Sequence, residues 1–226
     1  MRAANDGCPP ARRELVRWAA GLGAVTAESL AAREGIALAS ARGRLAAAER
    51  DGMMRAWRLV HGEPTLHTVT RKGLSAADVT GVCPGRVSPG GSRHAVACCG
   101  AAASLALAFP DHSVLGEQAI RRAERELGLT PALLEPSLVR RGIPARHRPD
   151  LLLAEGHDRG LIAVEVELTV KAPERLEAIC RAWARSRAVS GVIYLAAPEV
   201  LAPLSRAIAS ARAAERVVAL PLNAFG

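Results

Sequence analysis

An alternation of polar and apolar residues in the second half of the chain constrains the fold more than any other feature. Asp150 precedes the apolar run 151–153, and a turn over 155–160 leads into the alternating segment 163–171. One parity of that segment is aliphatic, and the other carries Glu165, Glu167, Thr169 and Lys171. Residues two apart in a strand share a face. The pattern therefore predicts a hairpin in which Asp150 faces Glu165.

Two interpretations of this polar face stay open on the pattern alone. Two carboxylates on neighbouring strands can hold a hard cation such as Mg²⁺, which takes oxygen ligands and keeps several waters. Such an ion can activate a water and stabilise a phosphoryl oxygen. Alternatively, the charges alternate only because that face of an antiparallel hairpin lies in water.

The segments that flank the hairpin predict an α/β sheet. We predict helices over 93–109, 173–187 and 199–214, and strands over 191–195 and 217–220. Strands that alternate with helices in this way form a sheet with crossover connections. The apolar run 95–109 is shorter than the roughly 20 residues that span a bilayer, so no membrane partner is expected.

The N-terminal third has the pattern of a helix-turn-helix followed by a β-hairpin. Predicted helices cover 11–22, 27–34 and 38–51, and predicted strands cover 53–60 and 65–70. Residues 70–74 resemble the close of the wing in winged-helix domains. The third helix would carry Arg42, Arg44 and Arg50, and the wing region would carry Arg55, Arg58, Arg71 and Lys72. These side chains predict binding to double-stranded DNA, with protein contacts or plain solvation as the alternatives.

The amino-acid composition indicates what kind of partner the protein binds and in which cellular compartment it lies. The net charge of +8, from 30 basic and 22 acidic residues, favours a polyanionic partner. Aromatic residues make up 3% of the chain, which argues against base stacking as the main mode of contact. The five cysteines form no CxxC pair, and an apolar signal segment is absent from the N-terminus, so we expect a cytoplasmic protein.

A Gly- and Pro-rich stretch predicts the domain boundary. Residues 77–92 show no period and contain several turn-forming residues, so they are predicted to link two domains. The prediction is a winged helix over 10–76 and an α/β domain over 93–226. A second copy of the chain is a candidate partner.

Several short motifs together resemble known families. Pro149-Asp150 followed by Glu165-Val166-Glu167 resembles the PD-(D/E)xK nuclease superfamily, with Glu167 in the place of the lysine. A narrower resemblance, to the replication-relaxation family of actinobacterial mobile elements, rests on four motifs. These are HRPD (147–150), AVEVELTVK (163–171), Arg175-Leu176 and VIYLA (192–196). Proteins of that family join a winged helix to a nuclease-like domain.

The resemblance implies roles for particular residues. Asp150 and Glu165 would ligate Mg²⁺, with Glu117 or Glu167 assisting, and Lys171 would act as a lysine that has migrated by four residues. Glu117 resembles the acid that the first helix contributes, although an acid early in a helix is also favoured by the helix dipole. His94 resembles a histidine at the start of a helix in the narrower family, and a structural role is its alternative.

The implied function has two forms. The chain would be a DNA-binding protein of a plasmid or mobile element whose nuclease-like domain hydrolyses phosphodiester bonds with Mg²⁺. In the alternative, a degenerate nuclease fold serves a non-catalytic regulator of replication or transcription, as the missing lysine at Glu167 suggests. Basic residues before Asp150 would attract a phosphodiester in either form; they are Arg140, Arg141, Arg146, His147 and Arg148.

Overall fold

A computed structural model describes residues 8–127, 147–155 and 160–225 of the chain. The chain divides into two compact units, Met1–Ser104 and Leu105–Gly226, each with its own hydrophobic core. Together the units contain helices and β-sheets, which confirms the predicted α/β class. Within the described ranges, no helix is both long and apolar enough to cross a membrane. Of the basic residues predicted to attract a phosphodiester, Arg140, Arg141 and Arg146 lie outside those ranges.

Three helices, a hairpin and a short helix form the first unit. Their bounds are α1 Pro10–Leu22, α2 Ala27–Glu34, α3 Leu38–Arg50, β1 Met54–Trp57, β2 Leu66–Val69 and α4 Arg71–Ala76. The hydroxyl of Thr26 caps α2 by accepting a hydrogen bond from Ser29 N at 3.1 Å. Gly35 ends α2 with a left-handed φ of 63°. The three predicted helices and the two predicted strands are therefore confirmed, with shorter strands than expected.

Two stretches differ from the prediction. Residues 70–74, expected to close the wing, instead begin α4, because the Thr70 hydroxyl accepts a hydrogen bond from Gly73 N and caps that helix. In the stretch predicted to be a linker, Val79 and Val82 pack against the core of the first unit. Close backbone packing also requires a glycine at position 85, because an added Cβ would lie 2.6 Å from the oxygen of Gly23.

The second unit is a five-stranded mixed sheet with helices. The long helix α5, Ser92–Ala108, leads into it from the first unit. The remaining bounds are β3 His112–Gly116, α6 Glu117–Leu127, β4 Leu151–Glu155, β5 Leu161–Glu167, α7 Pro173–Arg185, β6 Gly191–Ala196, α8 Pro198–Ser210 and β7 Val217–Pro221. The strands lie in the order β3-β4-β5-β6-β7, antiparallel up to β5 and parallel from β5 to β7.

The register of the central strands decides which side chains meet. Leu151 pairs with Val164, so Asp150, directly before β4, comes opposite Glu165 as the pattern predicts. Glu165 in turn pairs with Tyr194 on β6. The core on this face includes Leu176, Cys180 and Trp183 from α7. The sheet and α7 therefore enclose the polar positions of β5.

Candidate functional site

The polar face of β5 is buried. Glu165 is 6% exposed and Glu167 is 5% exposed, although both lie on the parity that an exposed hairpin would turn to water. The interpretation of the alternation as a solvated face is therefore wrong for these two residues. The strand also ends at Glu167, so Thr169 and Lys171 lie in the connection to α7 rather than on the strand.

Glu165 is a buried acid with two hydrogen-bonding neighbours. Its Oε1 lies 2.7 Å from Nε2 of His147 and accepts a hydrogen bond of 3.1 Å from the indole Nε1 of Trp183. Burial raises the pKa of Glu165, and the hydrogen bond with His147 acts in the opposite direction. The two donors therefore fix one oxygen of a carboxyl group that pays a desolvation penalty when it is charged.

Asp150 is held next to Glu165 by the backbone of β5. Its Oδ2 accepts a hydrogen bond of 2.8 Å from Val166 N. The charge of Asp150 contributes to the raised pKa of Glu165, so the two carboxyl groups are close enough to repel each other. A cation between them would remove that repulsion.

Lys171 reaches the same cluster from outside the strand. Its ammonium forms an ion pair with the carboxylate of Glu167. Burial lowers the pKa of Lys171, and the charges of Glu165 and Asp150 act against this shift. All four residues predicted to be catalytic are thus brought together in the second unit: Asp150, Glu165, Glu167 and Lys171.

The structure does not bring Glu117 into this group. Glu117 begins α6, its side chain is 52% exposed, and it forms an ion pair with Arg121 one turn later. Among the described residues, neither Glu117 nor Glu167 forms with Asp150 and Glu165 a group whose carboxylate oxygens all lie within 4.8 Å of one another. The ion pair with Arg121 and the favourable position of an acid at the start of a helix therefore explain Glu117 without a metal site.

Three further side chains of the cluster were not singled out by the sequence patterns. His147 was predicted only as one of several basic residues, and Trp183 only as part of a helix face. Tyr194 lies opposite Glu165 on β6 and is 2% exposed, and within the described residues its hydroxyl has no hydrogen-bond partner. A polar residue inside an apolar run, as in Val192 to Ala196, was the available signal for it.

Some of the predicted DNA-binding side chains of the first unit already form contacts within the protein, and others do not. Arg44 forms an ion pair with Glu34, and Arg42 lies 3.7 Å from Glu28. The guanidinium of Arg55 stacks 4.4 Å from the ring centroid of Trp57. Four others are exposed and form no ion pair with a described residue: Arg50, Arg58, Arg71 and Lys72.

His94 lies in the first turn of α5, with Nδ1 3.6 Å from the sulfur of Cys98.

A groove of about 500 Å³ lies between α3 and the hairpin of the first unit. Charged residues from both sides line it, among them Glu28, Glu49 and Arg58. His67 also lines it, but the imidazole is 8% exposed, and its Nδ1 has no hydrogen-bond partner among the described residues. Burial lowers the pKa of His67, and the Glu49 charge acts against this. The folded first unit therefore favours a neutral imidazole.

This shift predicts a pH dependence of stability. Below its ordinary pKa of about 6.5, His67 takes up a proton in the unfolded chain before it does so in the folded chain. The free energy of unfolding should therefore fall as the pH is lowered through 6.5, and His67→Gln should reduce that dependence. Urea unfolding at neutral and mildly acidic pH measures it, with the exposed His61→Gln as control. Equal pH dependence in wild type and His67→Gln would contradict the prediction.

Comparison of the chain with known proteins finds no relative. No family model matches the chain, no curated protein matches it, and no solved structure matches it.

Proposed function

We propose that the second unit is a PD-(D/E)xK-like domain that hydrolyses phosphodiester bonds of DNA with a divalent cation, and that the first unit is a winged helix that binds this DNA. The observation that carries the proposal is the convergence of Asp150, Glu165, Glu167 and Lys171 at one place on the sheet. The connectivity of three antiparallel strands, a helix and a parallel strand supports it. A plasmid or another mobile element is the proposed source of the DNA.

The donor set fits a hard divalent cation. Asp150 and Glu165 lie opposite each other and offer carboxylate oxygens, which Mg²⁺ and Mn²⁺ prefer. The hydrogen bonds with Val166 N and with Trp183 use Oδ2 of Asp150 and Oε1 of Glu165, and a carboxylate offers about four lone pairs in all. One or two carboxylates with several waters suffice for Mg²⁺. When bound, the cation would supply an activated water and stabilise charge on the phosphate.

The chain's own residues orient this site. His147 and Trp183 fix the carboxyl group of Glu165, which reduces the number of orientations that a ligand would have to select. Glu167 holds the ammonium of Lys171 beside the position where the superfamily has its lysine. From there Lys171 is suited to position a water or to stabilise negative charge that develops on the phosphate.

A specific observation favours the non-catalytic alternative. The three carboxylates of the cluster accept hydrogen bonds or form ion pairs within the protein: Asp150 with Val166 N, Glu165 with Trp183, and Glu167 with Lys171. Such a network can stabilise a fold without any metal. The same domain would then serve a regulator of replication or transcription.

Metal-dependent cleavage distinguishes the two functions. We expect the protein to nick supercoiled plasmid in Mg²⁺ or Mn²⁺ and to leave it intact in EDTA, because the cation supplies the water and the charge stabilisation. Intact plasmid in both metals, from a protein that binds DNA, would support the regulator instead.

The winged helix predicts salt-sensitive binding to double-stranded DNA. When the logarithm of affinity is plotted against the logarithm of salt concentration, the line falls with a slope of about 0.9 for each phosphate that the protein neutralises. Lys72→Ala should lower that slope by about 1 if the exposed ammonium contacts a phosphate. Arg12→Ala is the matched control, because Arg12 is not among the predicted DNA-binding residues and Asp51 already engages its guanidinium. Fluorescence anisotropy over a salt series measures both. Affinity that does not change with salt would contradict the prediction.

Two further parts of the proposal concern compartment and assembly. All five cysteines are free thiols in the structure, which supports a reducing, cytoplasmic location. A homodimer stays a prediction, and the outermost strand β7 offers a backbone edge at which two sheets can meet.

A further inference from the structure

Tyr194 has a buried hydroxyl group without a hydrogen-bond partner in the described part of the chain. The residue is 2% exposed, and its hydroxyl oxygen has no hydrogen bond to any described residue. Most buried side-chain polar atoms in proteins are paired, so such a group calls for an explanation. A phenylalanine would fill the same space without this cost, which indicates that the hydroxyl serves something other than packing.

The hydroxyl of Tyr194 lies near the carboxylate cluster. The parallel pairing of β5 with β6 places Tyr194 directly opposite Glu165, so both side chains are on one face of the sheet. Burial raises the pKa of Tyr194, and the charges of Glu165, Cys180 and Asp150 raise it further. Contact with the Trp183 side chain acts in the opposite direction. The single hydrogen of the Trp183 indole nitrogen is directed at Glu165, at 3.1 Å.

We propose that the hydroxyl of Tyr194 is the third oxygen group of a divalent-cation site formed with Asp150 and Glu165, at the position that the sequence assigned to Glu117. The inference rests on the proposed function, because it extends the same cation site. A phenol oxygen offers lone pairs to a hard cation and an O–H to the waters that the cation keeps. A bound cation would thus satisfy the hydroxyl and offset the repulsion between Asp150 and Glu165 at once.

This role makes two separable predictions for Tyr194→Phe. Without metal, the variant should unfold at a urea concentration equal to or above that of the wild type, because an unpaired buried polar atom is removed and the ring is kept. With metal, its affinity for Mn²⁺ should fall about tenfold or more, which is the usual effect of removing a supporting group from a metal site. A tyrosine with a merely structural role would leave the Mn²⁺ affinity unchanged.

The test is a titration of the full chain with Mn²⁺ alone, in the absence of DNA, followed by the electron paramagnetic resonance signal of the free ion. The proteins are the wild type, Tyr194→Phe, Asp150→Asn and the control Glu199→Gln, which alters an exposed acid in the first turn of α8. We expect Glu199→Gln to bind as the wild type does, Tyr194→Phe to bind more weakly, and Asp150→Asn to bind more weakly still.

The outcomes separate the inference from the proposed function. Equal Mn²⁺ affinity in wild type and Tyr194→Phe, with weaker binding in Asp150→Asn, would overturn the role of Tyr194 and leave the cation site in place. No binding of Mn²⁺ by the wild type would overturn both. A lower urea midpoint for metal-free Tyr194→Phe would show that the hydroxyl stabilises the fold by itself, and would also overturn the inference.

Discussion

Replacing Glu165 by glutamine is expected to slow the proposed metal-dependent cleavage about 100- to 1,000-fold. A bound cation stabilises the transition state by several kcal/mol, each 1.36 kcal/mol corresponds to a tenfold change in rate, and the variant lacks the charge that would hold the ion. The amide oxygen of glutamine still accepts the hydrogen bond from Trp183, so the packing of the site should survive. The loss would therefore be one of chemistry rather than of folding.

Stability measurements identify the cause of that loss. Burial of Glu165 disfavours its charged form, so a neutral glutamine should leave the free energy of unfolding unchanged or higher at neutral pH. Plasmid nicking in Mn²⁺ and urea unfolding are measured on Glu165→Gln and on the exposed control Glu199→Gln. Wild-type cleavage by Glu165→Gln would contradict the ligand role. Strong destabilisation would show instead that the negative charge of Glu165 stabilises the fold.

Replacing Trp183 by alanine is expected to lower the free energy of unfolding by about 3–5 kcal/mol, the range for large-to-small changes of buried aromatic residues. Trp183 is fully buried in the core of the second unit. It also packs edge-to-face against His147, with ring centroids 5.7 Å apart, and donates its hydrogen bond to Glu165. The substitution therefore removes apolar contacts and one donor from the carboxylate cluster.

Two other tryptophan variants separate these contributions. Trp183→Phe keeps most of the buried ring and loses the N–H, so it should cost about 1–3 kcal/mol, the penalty for a buried acceptor that loses its donor. Trp18→Ala, in the first unit, alters a half-buried ring that stacks on Arg33 and should cost less than Trp183→Ala. Urea unfolding followed by circular dichroism measures all three. A loss below about 1 kcal/mol for Trp183→Ala would contradict the described core.

Local chemistry explains how much of the fold could be predicted. Helix α2 is bounded by Thr26 and Gly35, whose capping and left-handed conformations depend on a few neighbouring residues. Strand β3 was missed because His112–Gly116 shows no clear alternation. Its pairing with β4, some 40 residues away in the chain, makes it a strand. Propensity is weak where such long-range pairing decides the structure.

The site was predictable where it depends on strand periodicity and not where it depends on packing. The parity of β5 placed Asp150 opposite Glu165, as the register shows. Alternation is also the signature of a half-exposed strand, so it did not reveal that the core under α7 encloses this face. Trp183 and Tyr194 come from elements that are distant in the chain, and no local pattern connects them with Glu165.

The most direct test of the central claim is the cleavage of supercoiled plasmid by the wild type and by Asp150→Ala in Mg²⁺ or Mn²⁺, with DNA affinity measured on the same preparations. Asp150 is suited to this test because it lies in the second unit, away from the proposed winged helix in sequence, so its loss should not alter the DNA-binding surface. We predict nicking by the wild type only with metal, no nicking by Asp150→Ala, and equal DNA affinity for both. Equal nicking by both proteins would contradict the claim. A wild type that binds DNA but leaves the plasmid intact in both Mg²⁺ and Mn²⁺ would contradict it as well.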